Sequence, residues 1–156
     1  MRWTNYHSHS HFSDGKFAPE LYIEAAIAQN LTAYGISDHG PHPFSGGSNL
    51  TLEGLSAYSR HIHELKAKYS NQIQIYCGME IDYIPFHVGV SHPSIKNTPL
   101  DYTICSVHHA GFFEDGKIFG VDNSAAGFEK GIQEIYNGDT RALVERYFEL
   151  TRTMLQ

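Results

Sequence analysis

Cysteine is nearly absent: Cys77 and Cys105 are the only two in 156 residues. Each sits inside an apolar, strand-like run, so both read as small core residues in a reducing compartment and not as a disulfide framework. No stretch approaches the roughly 18 consecutive apolar residues of a membrane span. The segment Met1-Arg2-Trp3-Thr4-Asn5-Tyr6-His7 contains no apolar core of a secretory leader. Positive charge is short as well, with 11 Lys and Arg against 17 Asp and Glu and a formal net charge of -6. That balance argues against a nucleic-acid-coating surface and for a partner that is small or is met through a metal. Repeats and low-complexity segments are lacking too. The expectation is a cytoplasmic protein of one domain, residues 1–156, with no membrane and no nucleic-acid partner, and long enough to bury a core without staples.

Histidine is in excess, with 11 residues, as many as Lys and Arg together, scattered singly and not as a terminal tag. Three alternate in Tyr6-His7-Ser8-His9-Ser10-His11-Phe12-Ser13-Asp14-Gly15, directly after the strand-like Trp3-Thr4-Asn5-Tyr6. Alternate side chains of a strand share a face, so His7 and His9 can aim at one point, and Asp14 follows in a turn as a further potential ligand. A His-x-His pair alone also occurs on solvated edge strands, so the rest of the chain has to decide.

Periodicity gives strand, helix, strand at the start. Pro19 to Gln29 reads as a helix with Leu21, Ala25 and Ala28 at helical spacing, stopped by Asn30. Leu31 to Ser37 is a mostly apolar strand, broken at once by Asp38-His39-Gly40-Pro41. The glycine-rich loop Gly46-Gly47-Ser48-Asn49 reads equally as a cover over a site or as a plain solvated loop. A long amphipathic helix is expected from Thr51 to Tyr69, with Thr51 near its N-cap, Leu55, Tyr58, Ile62, Leu65 and Tyr69 on one face, and His61 and His63 exposed. Gln72 to Met79 alternates as a third strand and ends in Glu80-Ile81-Asp82. A proline-punctuated loop runs to Pro99, and Asp101 to Val107 is a fourth strand ending in His108-His109. Helices over 124–136, stopped by Asn137-Gly138, and over 139–155 close the chain.

The four strands thus end in His7 and His9, Asp38 and His39, Glu80, and His108. In parallel α/β architectures, strand C-terminal ends are where sites are built. Imidazoles and carboxylates without thiolate suit Zn, Mn or Fe bound for hydrolysis, not a closed structural zinc site. A carboxylate such as Glu80 among histidines can bridge two cations. A hydroxide held between them could attack phosphorus while the cations offset charge on its oxygens.

These motifs in this order, His-x-His with Ser-Asp-Gly, then Ser-Asp-His, Gly-Met-Glu and Ser-Val-His, resemble the PHP (polymerase and histidinol phosphatase) superfamily of metal-dependent phosphoesterases on a distorted (β/α)7 barrel. Within it, Gly120-Val121-Asp122, Gly127-Phe128-Glu129, Tyr136-Asn137-Gly138-Asp139 and Arg146-Tyr147-Phe148 resemble an insertion of the histidinol phosphatases. The resemblance implies two or three divalent transition metals. His7 and His9 would hold the first, Glu80 would bridge it to a second bound by His108, and Asp14 and His39 would belong to a third. Asp38 is assigned to catalysis, with orientation of a ligand imidazole from behind as the alternative. His11 and His109 are left out, and His42, His87 and His92 receive no role. The implied reaction is hydrolysis of L-histidinol phosphate to histidinol and phosphate. The alternatives are another small phosphate ester or nucleotide, or a non-catalytic remnant. The family runs to about 250 residues, as does a closed barrel. The chain stops where a Gly-His-x-Asp and an Asp-x-His motif would follow. It is therefore expected to be the N-terminal portion of the α/β barrel, incomplete at its C-terminus and associated with a C-terminal fragment or a second copy.

Overall fold

The computed structural model describes residues 3–44 and 47–155, so the Gly46 end of the glycine-rich loop lies outside the described residues. Where one domain was expected, the chain divides into two compact units, Met1–Ile81 with Val90–Ile104, and Asp82–Gly89 with Cys105–Gln156. In the first unit, β1 (Trp3–Asn5), α1 (Pro19–Ala28), β2 (Leu31–Ile36), α2 (Leu55–Lys68) and β3 (Gln74–Cys77) follow one another, and the strands form a parallel sheet in the order β1-β2-β3. Parallel neighbours need a crossover, and the two helices provide it. Residues 33–36 of β2 are all buried, as a central parallel strand requires, and pair with 74–77 of β3. The core gathers Ile23, Ile36, Tyr58, Ile62, Ile75, Cys77 and Met79.

Several expectations need correction. In α1 the buried face is Pro19, Ile23 and Ala26, while Leu21 is 53% exposed. Apolar residues surround this helix almost completely, so two stripes were available and the sheet selects the other one. Asn30 does stop it, in the left-handed conformation at φ 59°. The α2 stripe is as expected, but the helix begins at Leu55, because Thr51 Oγ1 accepts from Gly54 N at 3.1 Å and closes a separate turn first. His61 and His63 are half-buried, not exposed: His61 pairs with Glu20 at 3.1 Å, and His63 Nδ1 lies 2.7 Å from Ser59 O. The strand expected over 72–79 is shorter, and Glu80 opens a separate strand, β4 (Glu80–Asp82). The loop to Pro99 contains a one-turn helix, α3 (Pro93–Lys96), capped by His92. The fourth strand shrinks to β5 (Ile104–Ser106), which leaves Cys105 half-buried.

In the second unit a hairpin that the sequence reading passed over, β6 (His109–Phe112) with β7 (Ile118–Gly120), packs on α4 (Ala125–Tyr136) and α5 (Thr140–Met154). Ala110, Phe119, Ile132 and Leu143 form its core. The stop of α4 is as expected, with Asn137 left-handed at φ 52°. Ser124 and Asp139, read as the first residues of the two helices, are instead their caps: Ser124 Oγ accepts from Gly127 N and Asp139 from Ala142 N. Among the described residues no helix is long and apolar enough to cross a membrane.

Candidate metal centre

Glu80 is the middle of the site. Its side chain is 2% exposed, and three imidazole nitrogens crowd its Oε2: His9 Nε2 at 2.9 Å, His7 Nε2 at 3.0 Å and His39 Nδ1 at 3.4 Å. The buried His9 Nε2 makes no hydrogen bond of good geometry despite its short approach. Nitrogen and oxygen lone pairs converging on one point in a buried place is the donor arrangement of a divalent cation site. Asp14 adds the carboxylate on the other side, with Oδ1 2.8 Å from His9 Nδ1 and Oδ2 3.8 Å from His39 Nε2. Two overlapping ligand groups result, His7-His9-Glu80 and His9-Asp14-His39, with the ligand atoms of each within 4.8 Å of one another.

Backbone hydrogen bonds put these side chains there. β1 stops at Asn5, so His7 and His9 lie on the extended segment after the strand and not in it, with their rings 5.3 Å apart. That segment is fastened to the end of β2: Ser37 N donates to Ser8 O at 2.8 Å, and Ser8 Oγ donates to Gly35 O at 2.9 Å. His39 and Glu80 form a parallel bridge, flanked by Glu80 N to Asp38 O at 3.0 Å and Gly40 N to Glu80 O at 2.7 Å. The loop after Gly47 ties back to the same place, Asn49 Nδ2 to Gly40 O and Leu50 N to His39 O, both at 2.9 Å.

Asp38 occupies a different position from the one the sequence suggested. It has no exposure, and its carboxylate accepts from Ser10 N (2.7 Å), Ser10 Oγ (2.7 Å), Ser13 Oγ (2.6 Å) and Ser13 N (3.1 Å). It holds the turn between His9 and Asp14 and makes no bond to an imidazole.

The charges are strongly coupled. The Glu80 carboxylate, against the pull of burial and with help from Asp14, pushes His9 up to about 9. Burial pulls the Asp14 carboxyl up, but the His9 hydrogen bond and the neighbouring imidazoles outweigh it and hold the group below the usual range. A cation would have to displace the His9 proton.

His108 belongs to the second unit. There its Nδ1 lies 2.6 Å from Oδ1 of Asp82, a buried carboxylate that the sequence reading did not single out, and its Nε2 lies 4.0 Å from Asp122. The signal for Asp82 was present: Glu80-x-Asp82 repeats the two-residue spacing of His7-x-His9. A carboxylate on one ring nitrogen fixes the tautomer and the orientation of the ring. His11 is exposed and stacks on Phe12, and His42 accepts from Phe44 N in its own loop.

Comparison with known proteins bears on this geometry. A histidinol-phosphatase of Lactococcus lactis is 32% identical over 122 residues, 76% of this chain and 45% of that protein. A crystal structure of histidinol phosphate phosphatase from the same species, complexed with zinc, L-histidinol and phosphate, superposes with a TM-score of 0.58 at 28% identity, covering 71% of this chain and 43% of that one. The DNA polymerase/3'-5' exonuclease PolX of Bacillus subtilis is 29% identical over 102 residues, 65% of this chain but 17% of that protein. The chain spans about half the length of the histidinol-phosphatase relatives it matches. The PHP domain model matches residues 5–155, the whole stretch that builds both units, and the chain therefore belongs to the PHP domain family.

Proposed function

We propose that this chain carries the metal-binding half of a phosphomonoesterase that hydrolyses L-histidinol phosphate to histidinol and phosphate, built as the N-terminal portion of a (β/α)7 barrel. The observation that carries the reading is the convergence of His7, His9 and His39 on the buried Glu80. The similarity to a phosphatase crystallised with zinc, L-histidinol and phosphate supports it. His7, His9 and Glu80 would hold one cation, with Asp14 fixing the His9 ring through Nδ1 and bringing His39 into the neighbouring group. His108, backed by Asp82, would serve a further one. Two or three divalent ions of zinc, manganese or iron fit a donor set of imidazoles and carboxylates. When bound, such ions make a water more acidic and offset charge on a phosphoryl group.

The residues do the rest. Glu80 places negative charge where the cations must sit. The hydrogen-bonded segments around Ser8, Ser10 and Ser37 keep the imidazoles from rearranging. The protein would work on a small phosphorylated substrate in the cytoplasm. The match to PolX covers too little of that protein to favour a nucleotide.

Turnover of histidinol phosphate and of a panel of other phosphomonoesters with zinc or manganese tests the assignment, alongside elemental analysis of the purified protein. We expect bound transition metal, preference for histidinol phosphate, and loss of both in Glu80→Gln. Preference for another ester would overturn the substrate, and Glu80→Gln retaining more than about a tenth of wild-type turnover would overturn the site, since losing the charge that would hold the cations should cost several kcal/mol.

A further inference from the structure

We propose that Tyr102 is a positioning residue for the metal centre: its hydroxyl fixes the peptide that carries His7. This rests on the metal-site reading above. Of the three histidines on Glu80, His7 has the least packing of its own, with 51% of its side chain exposed against 19% for His9 and 15% for His39. Its ring therefore depends more on its backbone for its aim than the other two do. His9 is flanked by Ser8 and Ser10, each bonded to β2 or to the residues just after it. On the other side of His7, the Tyr6 carbonyl accepts the hydroxyl of Tyr102 at 2.5 Å, across 96 residues of sequence. In the same peptide His7 N donates to Asn5 Oδ1 at 2.9 Å, a local bond within the segment itself.

The ring has a seat made for it. A Cβ on Gly35, in β2, would fall 2.2 Å from the Tyr102 hydroxyl oxygen, and one on Gly78, just after β3, would fall 2.1 Å from the ring carbon that bears it. β2 and the residue that follows β3 therefore leave out a side chain where the ring crosses them, and the hydroxyl emerges at the end of β1, with the Tyr6 ring edge-on at 6.0 Å. The residue before it is locked to β3: Asp101 N donates to Cys77 O at 2.7 Å, and the Asp101 carboxylate accepts from Cys77 N and from Lys66 Nζ, both at 2.8 Å. A rigid strut thus runs from β3 across β2 to the peptide before the first ligand. Burial also raises the Tyr102 phenol, against a hydrogen bond with Ser37 that lowers it.

Zinc affinity, measured by chelator competition on the whole chain, tests this with Tyr102→Phe, His7→Ala and the double variant. Tyr102→Phe keeps the ring in its seat and should weaken zinc binding at least about tenfold. In the His7→Ala background the same change should alter affinity by less than about twofold, because the hydroxyl acts through His7. Gly35→Ala, which pushes the ring aside while keeping the hydroxyl, should reproduce the zinc defect. An unchanged affinity in Tyr102→Phe, or an equal loss with and without His7, would overturn the proposal. A wild-type protein that binds no zinc would overturn the metal centre itself.

Discussion

Replacing Asp38 separates two roles that the sequence could not. The carboxylate is fully buried and accepts four hydrogen bonds, two on Ser10 and two on Ser13. In Asp38→Ala the two hydroxyls can rotate to new partners, and Ser13 N still has Ser10 O at 3.1 Å. Ser10 N has no such substitute and is left as a buried donor. Losing one partner of a buried, charge-assisted network costs about 3–5 kcal/mol. That is a large part of the 5–15 kcal/mol typical of a domain. In Asp38→Asn the oxygen that serves three donors remains, and the new amide can donate to Ser10 Oγ, so the expected cost is about 1–2 kcal/mol. Urea unfolding followed by tryptophan fluorescence gives both values. The phosphatase activity proposed above should stay above about a tenth of wild type in Asp38→Asn, since the carboxylate faces Ser10 and Ser13. Asp38→Asn as stable as wild type but inactive by more than about a hundredfold would refute this and restore the residue to the chemistry.

Three further outcomes are expected. Tyr58→Phe removes a buried hydroxyl that bridges Ile36 O at 3.0 Å and Gly78 O at 2.7 Å, and should cost about 1–2 kcal/mol in the same unfolding experiment. Phe86 is fully exposed and sits at φ 67°, so Phe86→Gly loses no packing and relieves the backbone; it should raise stability by up to about 1 kcal/mol, and a lower melting temperature would contradict this. His9 is raised from 6.5 to about 9, so its protonated form stabilises the metal-free protein fully below pH 6.5 and the contribution is lost as pH rises through 9. Metal-free melting temperature should fall across that window, and zinc affinity should rise over the same interval as the competing proton leaves.

Much of the fold was legible because its signals are local. Asn30, Ser124, Asn137 and Asp139 mark helix ends by backbone chemistry that needs no tertiary contact. The stripe Leu55, Tyr58, Ile62, Leu65 is periodic enough to survive packing. Leu21 failed because propensity and period fit two faces of α1 and only the position of the sheet chooses. The β6–β7 hairpin was missed although Asp115-Gly116 is a turn signal and Gly116 adopts φ 80°, because its strands are only four and three residues long.

At the site the same distinction holds one level up. His7, His9, Asp14, His39 and Glu80 come together because each lies after the end of a short strand or at the start of one, and chemistry-bearing residues at successive strand ends can be read from the sequence. What holds them is not readable that way. Asp38 looks like a member of the site because it precedes His39, yet the pleat that turns His39 toward Glu80 turns Asp38 the other way, onto Ser10 and Ser13. Tyr102 lies 96 residues from the carbonyl it holds, and its seat is recorded only as two absent side chains, Gly35 and Gly78. Candidate ligands advertise themselves by residue type. Their supports are serines, glycines and a tyrosine, residue types with so many other uses that only coordinates reveal which ones aim an imidazole.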